Sequence, residues 1–177
     1  MERYLTACGG DTRKAMTLYR YNLQISQEMF TIVSCFEVAL RNAIDRQLTS
    51  NLGEEWLKES IMPSGIFSQP ILSKTHGIIQ SAYRRLIHDG CYTHNKLLAE
   101  MEFGIWKYMF SPIQYRVTGR NLLKIFPNKP RSSREHQYNQ TFIFNELDKV
   151  NSLRNRIAHH ETICFAINTA TIDTSYI

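Results

Sequence analysis

The spacing of apolar residues along the chain predicts helices over most of its length. Residues 11–24 place apolar side chains at the three- and four-residue intervals of an amphipathic helix, with Asp11 or Thr12 as its cap. Ser26 can then cap a second helix over about residues 27–50. That helix is apolar on nearly all sides, so we expect it to be buried.

The same spacing predicts further helices downstream, at residues 54–60, 73–86 and 94–110 and from Ser132 or Ser133 to beyond Ile157. A strand pattern occurs only in ICFAI at residues 163–167. We therefore predict an all-α fold. A chain of 177 residues is long enough to form a single domain with one hydrophobic core, so we expect residues 1–177 to be one helical domain.

Composition is that of a globular protein, with 43% hydrophobic and 21% charged residues. We expect no membrane association, because no apolar run approaches the ~18 residues of a membrane span. The N-terminus lacks the apolar region of a secretion signal, so a cytoplasmic location is expected. The four cysteines form no CxxC pair and are expected to be reduced, with Cys35 buried in an apolar run.

The basic residues are unevenly distributed. The net charge is +5, and residues 107–135 contain seven lysines and arginines but one acid, Glu135. This excess favours a phosphate-bearing partner, although a solvated loop has the same composition. The aromatic residues of the preceding helix are expected to be core rather than a base-stacking surface; they are Phe103, Trp106, Tyr108 and Phe110.

A dense polar cluster, LRNRIAHHE, occupies residues 153–161. A metal site could draw on His159, His160, Glu161 and Cys164. However, adjacent helical histidines point about 100° apart and no second ligand pair is present, so we expect no metal. We expect no cofactor either, since the only diglycine, at residues 9–10, lacks the pattern of a phosphate loop. A serine or cysteine nucleophile has no recognisable turn motif here.

Acid–base chemistry on RNA fits the cluster better. It requires a histidine that moves a proton near neutral pH and a permanent cation beside the phosphate. Arg154 and His159 are separated by about 140° and about 7.5 Å on a straight helix, so they do not share a face. Asn155 does share a face with His159 and is expected to orient its ring. A cleft shared by two copies would collect both pairs, which predicts a homodimer.

The residues resemble a known family. Arg154-Asn155-x-x-x-His159 has the R-N-x-x-x-H form of the Rx4H motif of HEPN domains, which include many metal-independent ribonucleases. The segments KAMTLYRYN (14–22), EVALRNAID (37–45), EFGIWKYMF (102–110) and LRNRIAHHE are similar, in that order, to the blocks of the Abi-like (abortive infection) branch. The resemblance covers about residues 10–165 and is more specific than the short motif alone.

The resemblance implies an HEPN-like helical bundle with additional short helices, which dimerises and cuts RNA to leave a cyclic phosphate. It also implies a phage-defence or toxin role, with an antitoxin or regulator protein as a further partner. Relative to the family, the C-terminal helix is expected to be short or missing, or the chain to be a truncated form. The roles implied are catalysis for Arg154 and His159, support for Asn155 and Glu37, and substrate contact for Arg156, His160 and Arg41.

One alternative function remains open at this point. A non-catalytic helical module that binds RNA or a protein would also account for the basic segment 107–135.

Overall fold

The computed structural model describes residues 1–165, which fold into eight α-helices and contain no β-strand. The all-α prediction is confirmed. Residues 166 and 167 of the ICFAI run lie outside the described part of the chain, and residues 163–165 form no strand. The helices are α1 (Glu2–Ala7), α2 (Thr12–Leu52), α3 (Trp56–Glu59), α4 (Ser73–His88), α5 (His94–Ala99), α6 (Phe103–Tyr108), α7 (Pro112–Val117) and α8 (Gln140–Ala158). Two 3-10 helices cover Pro70–Leu72 and Leu122–Ile125.

The chain divides into two compact units. The first comprises Met1–Phe36 and Lys149–Ile177, and the second comprises Glu37–Asp148. The boundaries between the units fall inside α2 and inside α8, so each of these helices contributes to both.

Helix α2 is one continuous helix of 41 residues, so the break predicted at Ser26 is wrong. A serine in a helix interior costs only a few tenths of a kcal/mol, which the surrounding backbone hydrogen bonds easily outweigh. The N-terminal cap is as predicted, and the helix ends at Leu52, close to the predicted end at about residue 50. Asp11 Oδ1 accepts the backbone N–H groups of Arg13 and Lys14 at 2.9 and 3.0 Å, and Gly53 follows the helix with a left-handed φ of 104°.

The expectation that this helix is buried on all sides is also wrong. Val33 and Leu40 are buried, but Ile32 is 60% exposed and Cys35 is exposed as well. The spacing of apolar residues does not show whether a neighbouring element covers a second apolar face of a helix. In α2 only one face is buried. None of the helices in residues 1–165 combines the length and the apolar character of a membrane span.

Two helix boundaries predicted in the second unit are wrong. The helix predicted over 94–110 is divided into α5 and α6 by an extended residue, Glu102, with ψ 162°. Because the chain is extended at this break, the side chains of both Met101 and Phe103 lie in the core, where they are 3% and 1% exposed. The last helix begins at Gln140 rather than after Ser132 or Ser133, because Asn139 Oδ1 caps it by accepting the Phe142 N–H at 3.0 Å.

Aromatic residues dominate the core of the second unit. Trp56, Phe67, Trp106 and Phe110 are almost completely buried together with aliphatic residues of α3, α4 and α5. The predicted core position is thus confirmed for three of the four aromatic residues of segment 103–110. It is wrong for Tyr108, which is 41% exposed.

Candidate functional site

The polar cluster lies at the C-terminal end of α8, within the first unit. Arg154, Asn155 and Arg156 belong to the last two turns of the helix. The His159 N–H still bonds to the Asn155 carbonyl at 2.9 Å, so helical geometry extends to His159. The cluster therefore lies on a helix end, as the sequence predicts.

A tight turn follows immediately. The His160 N–H donates to the Ile157 carbonyl at 3.0 Å, and the Glu161 N–H reaches back to the Arg156 carbonyl at 2.8 Å. These two bonds define a Schellman cap, in which the residue at the position of His160 is usually glycine. His160 adopts the required left-handed conformation, with φ 56°, at a cost of about 1–2 kcal/mol. The turn fixes the direction in which the chain leaves the helix.

The segment after the turn is anchored by a buried asparagine. Asn22 on α2 is only 4% exposed, and its Oδ1 accepts the backbone N–H groups of Ile163 and Cys164 at 2.9 and 3.3 Å. Arg3 on α1 donates to Thr162 Oγ1 at 3.1 Å. Buried N–H groups without partners are costly, so Asn22 is a structural requirement of this segment.

A small hydrophobic cluster lies behind the anchored segment. It consists of Tyr4, Ala15, Cys164 and Phe165, with the rings of Tyr4 and Phe165 5.1 Å apart at their centres. Burial raises the pKa of the Tyr4 hydroxyl to about 12, with a further contribution from Cys164. Burial also raises the pKa of the Cys164 thiol, which therefore stays protonated and unreactive at neutral pH.

The two arginines of the cluster have different environments. Arg156 is largely buried and donates to the carbonyl groups of Thr162 and Phe165, while its Nε lies 3.8 Å from the Glu161 carboxylate. These contacts tie α8 to the anchored segment, so Arg156 acts as a structural cross-link, although the sequence indicates substrate contact. Arg154 is half-buried, and within residues 1–165 its guanidinium makes one long contact, of 3.5 Å to Asn155 Oδ1.

The two histidines are both exposed. Within residues 1–165, neither imidazole has a hydrogen bond or an ion pair. The side chain of Asn155 contacts Arg154 rather than the ring of His159, so the predicted orienting bond is not among the contacts of the described residues. No described residue therefore occupies the hydrogen-bonding atoms of the His159 ring.

Arg154 and His159 point apart within one chain. Because helical hydrogen bonding continues through His159, the offset of about 140° expected for residues five apart applies here. The site of one chain thus offers the arginine and the histidine in two directions.

Glu37 and Arg41 lie on α2 in the second unit, and both are half-buried. No hydrogen bond or ion pair joins them in residues 1–165. Asp45, four residues beyond Arg41 on α2, bonds to Trp56 Nε1 and His94 Nε2, both at 2.8 Å. No local sequence pattern indicates the contact with His94, because this residue lies 49 positions away along the chain.

No group of three metal-ligating side chains occurs within residues 1–165. Of the four residues considered for a metal site, Cys164 is buried and Glu161 lies beside Arg156.

Most of the basic residues in segment 107–135 are exposed. Lys107 is the exception, because it is 7% exposed and its Nζ bonds to Asp148 at 2.7 Å. Five of the other six basic residues are exposed and Lys129 is half-buried. The five are Arg116, Arg120, Lys124, Arg131 and Arg134.

Comparisons with known proteins give no match: no family model matches the sequence, and neither a curated protein nor a solved structure matches the chain.

Proposed function

We propose that this chain is a metal-independent endoribonuclease of a bacterial abortive-infection or toxin-type defence system, acting in the cytoplasm through Arg154 and His159. One observation carries the proposal. The guanidinium of Arg156 bonds to carbonyl groups of its own chain. Within residues 1–165, by contrast, Arg154 has one long contact and the ring of His159 has no hydrogen bond or ion pair. A rigid helix end that leaves one arginine and one histidine available fits acid–base chemistry on a phosphate. The ordered sequence blocks of the Abi-like HEPN family support the same assignment.

The reaction needs no external nucleophile. The ribose 2′-OH attacks the adjacent phosphorus while His159 moves a proton, and the bond from phosphorus to the 5′ oxygen breaks. The leaving oxygen gains a proton, which gives a 2′,3′-cyclic phosphate and a 5′-hydroxyl end. The guanidinium of Arg154 stabilises the negative charge that accumulates on the phosphate oxygens. A histidine suits this proton transfer because its imidazole can both accept and donate a proton.

A complete site requires two copies of the chain. Arg154 and His159 point about 140° apart on one helix end, so a single copy cannot place both against one phosphate. A two-fold axis beside the ends of two α8 helices would bring the arginine of one chain near the histidine of its partner. The proposal therefore includes a homodimer with a shared cleft. With the family resemblance, it also includes an antitoxin or regulator protein that restrains the enzyme.

Cleavage of RNA in EDTA by the wild-type protein and the His159→Ala variant tests the proposal. We expect His159→Ala to reduce the rate by a factor of about 10²–10⁴, the range typical of a general acid or base. His88→Ala is the matched control, since His88 is an exposed histidine on α4 whose Nδ1 lies 3.0 Å from Asp89 Oδ1. Equal rates for His159→Ala and His88→Ala would rule out the assignment.

The exposed basic segment supports a second candidate, a non-catalytic module that binds RNA. Arg131 and Arg134 are exposed and have no ion pair within the described residues. In that case RNA binding should survive His159→Ala, weaken steeply with salt, and fall when Arg131 and Arg134 are changed to glutamate. Binding that is insensitive to salt would exclude this candidate.

A further inference from the structure

The second unit contains a large cavity that the proposed RNA chemistry does not use. Its volume is about 900 Å³, and it lies among α4, α6, α7 and the segments that precede α4 and α6. Volumes of about 300–1,000 Å³ are typical of sites for small organic molecules. Its apolar lining is Ile71, Leu72, Ile78, Met101, Ile105 and Ile113.

Two glycines keep this space open. Gly77 on α4 and Gly104 on α6 both line the cavity, and a Cβ added to either would meet no atom of the described residues within 4 Å. Glycine in a helix interior is less favourable than alanine, and neither glycine has the positive φ that would explain its presence. Both glycines line the cavity, so a larger side chain at either position would be added at its wall.

A buried amide in the wall of the cavity lacks one of its partners. Gln114 on α7 is 5% exposed, and its Nε2 donates to Thr75 Oγ1 at 2.6 Å. Its Oε1 is buried, and no donor within residues 1–165 bonds to it. Unpaired buried acceptors are rare in folded proteins and call for an explanation. Gln114 lines the cavity and the terminal torsion of glutamine is soft, so rotation of the amide can present Oε1 to a molecule there.

Charge around the cavity is balanced. Lys74 and Arg85 face Glu100 and Glu102, two basic residues against two acidic ones. Arg85 and Glu100 form an ion pair with each other. A charged ligand would gain no net attraction here and would lose its hydration on entering an apolar space.

We propose that this cavity binds a small, uncharged, mostly apolar molecule that donates one N–H or O–H hydrogen bond to Gln114 Oε1. The apolar walls and the balanced charge favour an uncharged molecule. The unpaired acceptor, Gln114 Oε1, favours a molecule with a hydrogen-bond donor. The proposal stands independently of RNA cleavage by the motif at the end of α8.

Binding of matched aromatic probes to the full chain tests this assignment. The probes are indole and 2-naphthol, their methylated counterparts 1-methylindole and 2-methoxynaphthalene, and the anion 2-naphthoate, each titrated by calorimetry at pH 7. We expect each donor probe to bind about tenfold more tightly than its methylated counterpart, the effect of one hydrogen bond to a buried acceptor. The anion should bind more weakly than 2-naphthol. Absence of binding by both donor probes, or equal binding of the donor and methylated forms, would overturn the proposal.

Substitutions then locate the site. Gly77→Leu and Gly104→Leu should each weaken binding of 2-naphthol at least about tenfold while the protein keeps its melting temperature, because leucine favours the helix more than glycine does. Ile78→Asp should also weaken binding of 2-naphthol, whereas Ile87→Asp should leave it unchanged. Both isoleucines are exposed on α4, but Ile87 lies outside the cavity. Gln114→Met should bind donor and methylated probes equally. Unchanged binding in both leucine variants and in Ile78→Asp would place the probes elsewhere and refute the site.

Discussion

Replacement of His160 by glycine should stabilise the protein, although the residue lies in the candidate site. His160 has a left-handed backbone with φ 56°. A residue with a Cβ is destabilised there by about 1–2 kcal/mol, while glycine loses about 0.5–1 kcal/mol more conformational entropy on folding. The difference predicts a gain of about 0.5–1 kcal/mol for His160→Gly. Both hydrogen bonds of the turn are made by backbone atoms, so they survive the substitution.

The control for this experiment is His160→Ala. Alanine removes the imidazole but keeps the strained conformation, so this variant should be no more stable than the wild type. Urea denaturation followed by circular dichroism at 25 °C measures the difference, and thermal melts should show a rise of ~1–4 °C for glycine. If His160→Gly is not more stable than His160→Ala, the strain assigned to this turn does not exist. Because His160 is also a predicted substrate contact, both variants should cleave RNA more slowly than the wild type.

Three further predictions concern the packing behind the site and its completeness. The raised pKa of Tyr4 means that its contribution to stability is present below pH 10 and is lost as the pH rises through about 12; the free energies of unfolding of wild type and Tyr4→Phe, measured by urea denaturation, should therefore diverge by up to about 2–3 kcal/mol above pH 10. If the two variants keep a constant difference at all pH values, the hydroxyl is not buried as described. Asn22→Ala leaves two backbone N–H groups buried without partners and should cost about 2–4 kcal/mol, whereas Asn42→Ala, at an exposed position of α2, should cost little in the same denaturation assay. Comparable losses for the two asparagines would contradict the anchoring role. Finally, a mixture of Arg154→Ala and His159→Ala proteins should regain RNA cleavage that neither has alone, because one shared cleft then holds one intact residue of each kind; no recovery after subunit exchange would refute the shared cleft.

Sequence periodicity was sufficient for the fold class and for most helices, because helix formation depends on local spacing and on caps such as Asp11 and Asn139. Asp11 was predicted as a cap and confirmed, whereas Asn139 was missed in favour of serines further upstream. The continuity of α2 through Ser26 was missed for a related reason. A residue that can cap a helix also fits inside one, and only the neighbouring hydrogen bonds decide between the two.

The candidate site was predicted as a cluster of residues, but their roles could not be separated from sequence. Residues 154 and 156 are both arginines, so the sequence does not distinguish their roles. Only the fold shows that Arg156 bonds to carbonyl groups while Arg154 contacts Asn155. The contact of Asn22 with Ile163 spans 141 positions, and no local pattern indicates it. The left-handed conformation of His160 was likewise unforeseen, since that position of a helix cap usually contains glycine or asparagine.

The chemistry of the RNA ends tests the central claim most directly. The wild-type protein is incubated in EDTA with an RNA and with the same RNA that has a 2′-deoxy nucleotide at the principal cleavage site. Attack by the 2′-OH predicts 2′,3′-cyclic phosphate and 5′-hydroxyl ends on the first RNA and no cut at the substituted position of the second. His159→Ala should give neither product. A cut at the deoxy position, or 5′-phosphate ends, would contradict the proposed reaction.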